Sequence, residues 1–159
     1  MKFTKNQKLK ALKQIVFSTL KITIAGVIIG VFHEHDFWVG VLLFIYFLMY
    51  LYRKIYKSKT KNWILLAGMI ITGILGICAE IWGVSYQFWE YHDLTNNRQL
   101  PYWLPFAWMF AFRFIYNLER NLIETLEIKK QHQKIWLAVI IAAIFPAYGE
   151  VITINLGVW

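Results

Sequence analysis

Residues 76–93 read Gly76-Ile-Cys-Ala-Glu80-Ile-Trp-Gly-Val-Ser-Tyr-Gln-Phe-Trp89-Glu-Tyr-His-Asp93, and residues 100–108 read Leu100-Pro-Tyr-Trp-Leu-Pro105-Phe-Ala-Trp108. An apolar run meets a carboxylate, leaves through an aromatic and acidic loop, and re-enters at a Pro- and Trp-rich turn. The run belongs to a block, about 62–85, long enough to cross a bilayer as a helix, which needs about 20 residues. Helix is the economical choice in lipid, because every backbone amide is then satisfied within its own segment.

Working outward, four more blocks of the same kind appear, about 14–32, 37–52, 103–118 and 135–158. The expectation is an all-α fold: one domain, a polytopic membrane bundle of five transmembrane helices. Composition agrees, with 58% hydrophobic and 16% charged side chains in 159 residues, against about 25% charged in soluble domains. The net charge of +8 does not point to nucleic acid, because the basic residues flank the apolar blocks. The single cysteine, Cys78, leaves no intrachain disulfide and no multi-cysteine metal site. Residues 1–13 read as a basic tail, and the run after it as an uncleaved first span, since Lys21 interrupts it and no cleavage site precedes His33.

Lys and Arg set the orientation. Lys2, Lys5, Lys8, Lys10 and Lys13 precede the first span; Arg53, Lys54, Lys57, Lys59 and Lys61 follow the second; Arg120, Lys129, Lys130 and Lys134 follow the fourth. The opposite loops hold Arg98 alone. The positive-inside rule then places the amino terminus in the cytoplasm and the carboxyl terminus outside, in a cell membrane, the inner membrane of a bacterium. Residues 119–134 read as a short helical extension on the cytoplasmic side. Glu80 with Trp89 and Glu150 with Trp159 share a nine-residue spacing, and Phe37-Trp38 parallels Tyr102-Trp103. The spacing is that of two tandem hairpins, spans two–three and four–five.

Charges inside spans are the candidate chemistry. Gly68, Thr72, Gly76 and Glu80 recur every fourth residue, a stripe that lets a helix approach and turns Glu80 inward. Ala143, Ala147 and Glu150 are expected to do the same near Pro146. Arg113 lies at the depth of Glu150, so the two are placed to meet. Lys21 is long enough to snorkel to the interface. Trp82, Tyr86, Trp89, Tyr91, Trp103 and Trp108 crowd the outer face, as an aromatic belt or as the lining of an apolar pocket. His33, His35, His92 and Asp93 form a candidate set for a divalent metal. Gly26 and Gly30 offer a close-packing face, for a homo-oligomer or within the monomer.

Glu80 followed by Trp89 and Tyr91, and Glu150 followed by Leu156-Gly-Val-Trp159, resemble the motif of the small integral-membrane lycopene cyclase domains. The family's Pro-x-Glu-Glu element is absent, its place taken by Leu100–Pro105 without acids. The resemblance implies acid-initiated cyclisation of an isoprenoid, with Glu80 and Glu150 as acids and the aromatics stabilising a carbocation. Three function classes follow: an enzyme or binder of an apolar lipid or isoprenoid using Glu80, Glu150 and Arg113; a proton- or cation-coupled carrier; and a non-catalytic partner in a membrane complex.

Overall fold

The computed structural model describes residues 3–58, 62–92, 94 and 98–159. Lys2, Lys59, Lys61 and Asp93 lie outside the described residues. Among the described residues the chain is all-helical, with five α-helices and no strand: α1 Lys5–Val31, α2 Asp36–Leu51, α3 Trp63–Ser85, α4 Leu104–Thr125 and α5 Gln131–Asn155. A 3-10 turn at His33–His35 joins α1 to α2, and a π-helical turn at Tyr52–Tyr56 extends α2. Four of these segments are long and apolar enough to cross a membrane, those built on α1, α2, α3 and α5.

Several boundaries depart from expectation for local reasons. The basic tail is helical from Lys5, because Thr4 caps it: Gln7 donates its backbone N–H to Thr4 Oγ1 at 3.2 Å, and Thr4 donates its own to Gln7 Oε1 at 3.0 Å. The helical extension expected over 119–134 is split: residues 119–125 are the last turns of α4, and residues 131–134 the first turn of α5. The fifth helix stops at Asn155. Gly157 takes φ +76°, and Val158 N–H reaches back to Thr153 C=O at 3.1 Å. That reversal closes the last turn.

Helix α4, with Arg113, Asn117 and Glu119 along it, is the hub and packs against all four others. Large α4 side chains fill the glycine stripe of α3: Phe112 at Gly68, Met109 at Gly73 and Trp108 at Gly76. The pairing is antiparallel. Helix α1 runs parallel to α5, with Gly26 seated on Ile152 and Gly30 on Leu156. The Gly26–Gly30 face is therefore used inside the chain, not left open for a second copy. Helices α2 and α3 both lean on α4, instead of forming a hairpin packed mainly on itself. At Gly40 the helix α2 comes against the Tyr102 backbone, where a Cβ would stand 3.1 Å from the carbonyl carbon.

Candidate functional site

Helix α3 ends in a reversal that builds the first half of the site. Gln87 adopts φ 60°, Gln87 N–H bonds Val84 C=O at 3.0 Å, and Phe88 N–H bonds Gly83 C=O at 3.0 Å. This turn folds the chain back along α3. The Trp89 ring lies directly on Gly83, a place that any Cβ would occupy. Trp89 Nε1 then donates to Glu80 Oε2 at 3.0 Å, Tyr91 donates its hydroxyl to the same oxygen at 2.9 Å, and Trp108 Nε1 donates to Oε1 at 3.2 Å. Glu80 is buried at 5% exposure with three donors on it. Burial pushes the Tyr91 phenol up, and the neighbouring Glu80 pushes the same way, so the hydroxyl keeps its proton and donates.

The loop from α3 to α4 is also tied to α2. Arg98 grips Asp36 with both terminal nitrogens, at 2.7 and 3.1 Å, and the Tyr102 backbone N–H adds a third bond at 3.1 Å. The Arg98 guanidinium lies 3.9 Å over the Tyr102 ring. Asp36 is 3% exposed. A forked pair of this kind fixes both partners in orientation. No local spacing links Asp36 to Arg98; the available signal was that Arg98 is the one Lys or Arg in the stretches joining α1 to α2 and α3 to α4.

Beside this closed end, a cavity of about 560 Å³ runs between α1, α2, α4 and α5. Its wall follows α4 from Leu104 to Asn117, a rise of about 20 Å. Ala25, Ile29, Leu43, Ala107 and Phe145 make it mainly apolar, and Trp103 and Trp108 stand at the loop end. Four charged side chains reach it: Glu80, Glu150, Lys21 and Arg113. Glu80 and Glu150 thus share one cavity, in very different states. Glu150 is exposed to it, and its carboxylate makes no hydrogen bond or ion pair among the described residues.

Arg113 and Glu150 line the same space but do not pair. Arg113 turns instead to α2, donating to the Tyr46 hydroxyl at 3.2 Å and lying 4.2 Å over the Tyr50 ring. Ala143 and Ala147 are exposed and do not form an inward stripe with Glu150, because α5 turns Gly149 and Ile152 toward α1. Of the aromatics at this end of the bundle, Trp89, Tyr91 and Trp108 converge on Glu80, and Trp103 and Trp108 line the cavity. Trp82 and Tyr86 are exposed and gather with Phe88 outside it, with ring centroids 5.1–5.6 Å from Trp82. Trp103 is buried, and its Nε1 has no acceptor among the described residues.

Of the candidate metal ligands, Asp93 lies outside the described residues, and His33, His35 and His92 belong to no metal-holding group among them. Among the described residues no three His, Cys, Asp or Glu side chains are grouped to hold a metal. His33 Nδ1 faces the Gly30 carbonyl, and Asp36, next to His35, is taken by Arg98. No family model, curated protein or solved structure matches this chain.

Proposed function

We propose that the chain is a multi-pass membrane protein that binds an apolar lipid, isoprenoids included, in the cavity between α1, α2, α4 and α5. Four segments of spanning length and hydropathy support the membrane setting. The clustering of Lys and Arg at one set of helix ends supports an amino terminus in the cytoplasm. The observation that carries the binding reading is the cavity itself. Its volume of about 560 Å³ lies in the range of small-molecule sites, and its wall is apolar with a few polar groups. A purely structural role for Arg113 and Glu150 favours their joining in a closed bundle; here they stand apart on an open wall.

Within this reading the two acids have different work. Glu80 holds the loop end shut through its three donors. Glu150 is the acid that meets the ligand. A proton passed from Glu150 to a double bond of a linear isoprenoid starts cyclisation, and return of a proton from the ring to the carboxylate ends it. The faces of Trp103 and Trp108 stabilise the intervening cation. Ala111 lies on the cavity wall, so Ala111→Trp fills the space. Mass spectrometry of lipid extracted from purified protein tests the site. Wild type retains lipid that Ala111→Trp loses; the same complement from both proteins sinks the proposal.

A further inference from the structure

Two cations stand on the cavity wall without an anion. A guanidinium carries five N–H donors. Arg113 spends one on Tyr46 at 3.2 Å, and no described group accepts from the others. Its plane is held over Tyr50 at 4.2 Å. Lys21 lies on the same wall and makes no ion pair or hydrogen bond among the described residues.

Neither acid of the cavity makes an ion pair with either cation among the described residues. Phe145 packs on Phe114 at 5.6 Å between ring centroids, which sets the level of Arg113 along α5. Glu150 lies five residues beyond that level, about 7 Å further toward the loop end. Glu80 belongs to the loop end itself, its oxygens already taken by Trp89, Tyr91 and Trp108. A charge well inside a spanning bundle costs about 2.5–3.5 kcal/mol on insertion scales unless something meets it. The planar fork of Arg matches an oxyanion with two parallel bonds.

From Arg113 toward the loop end the wall is apolar apart from Glu150, through Leu43, Ile29 and Ala107 to Trp103. The ten residues from Arg113 to Trp103 rise about 15 Å. We propose that the cavity takes an amphiphile with an oxyacid headgroup, a carboxylate or a phosphate monoester, seated on Arg113 and Lys21 with its apolar chain running toward Trp103 and Trp108. This rests on the cavity being a ligand site and names the class of ligand.

Native mass spectrometry with dodecanoate, dodecyl phosphate and dodecanol, each added to the protein in micelles, tests it. Wild type retains one or both acids about tenfold better than the alcohol, equal to about 1.4 kcal/mol. The acid that is favoured identifies the headgroup source. Arg113→Gln removes the preference while still retaining dodecanol, which shows that its fold is intact, and Arg113→Lys keeps the preference. Lys21→Gln narrows it. Equal retention of all three probes by wild type overturns the headgroup assignment and leaves the apolar site standing. A preference that survives Arg113→Gln overturns the seat on Arg113. Retention of none of the probes overturns both this inference and the binding reading beneath it.

Discussion

The ends of α3 and α5 are built to the same measure and behave differently. Each helix runs five residues past a glutamate, Glu80 to Ser85 and Glu150 to Asn155. Each then reverses at a left-handed residue seven positions past the acid, Gln87 at φ 60° and Gly157 at φ +76°. Each carries a Trp two residues later. Yet Trp89 bonds Glu80, whereas Trp159 turns to pack edge-on against Tyr91 at 4.8 Å between centroids. The residue three positions past the acid explains the difference. In α3 it is Gly83, and the Trp89 ring lies where a side chain would be. In α5 it is Thr153, buried and bonded to the Glu150 carbonyl at 3.0 Å, so the equivalent place is filled. One missing Cβ turns an acid into the anchor of a loop; its presence leaves the other acid open to the cavity.

The largest way to disturb this contrast is to cut the tie that seats the α3–α4 loop. Asp36→Ala removes the buried carboxylate that both the Arg98 guanidinium and the Tyr102 N–H bond. Removing one partner of a buried pair costs about 3–5 kcal/mol. Denaturant titration in micelles reads it, and a loss below about 1 kcal/mol contradicts the role given to the pair. A more pointed change is Gly83→Thr, which gives α3 the side chain found at the same offset in α5. Trp89 must leave its place, at a cost of about 1–3 kcal/mol for overpacking. Its fluorescence should shift toward that of a hydrated indole. An unchanged spectrum would show that glycine is not what lets Trp89 close. The smallest effect runs the other way. Gln87→Gly relieves a left-handed non-glycine residue and stabilises by about 0.5–1 kcal/mol, making the α3 reversal resemble the one at Gly157. Any loss of stability there contradicts the strain assigned to Gln87.

The sequence was most legible where lipid-like packing constrains it. Long apolar blocks and the Gly68–Gly76 stripe marked the helices and turned Glu80 inward, and the structure fills that stripe with α4 side chains. The aromatics were visible one by one. That three of them would donate to a single carboxylate was not, because the direction of an indole N–H depends on a turn at Gln87 that no glycine announces. The Asp36–Arg98 tie joins residues 62 positions apart, beyond any local pattern. The expected Arg113–Glu150 meeting rested on equal depth, and depth says nothing of azimuth: Arg113 faces Tyr46 and Tyr50 on α2. The basic tail looked like a tail because its charges hid the Thr4–Gln7 capping box that starts α1.

The difference between the two acids is tested most directly by their unfolding free energies, measured side by side for Glu80→Ala and Glu150→Ala. Glu80→Ala strands two indoles and a phenol, each at about 1–3 kcal/mol, so it should lose about 3 kcal/mol or more. Glu150→Ala removes a side chain with no polar partner among the described residues and should stay within about 0.5 kcal/mol of wild type. Equal losses, or a larger loss at Glu150, would contradict the division between a clamped acid and a free one.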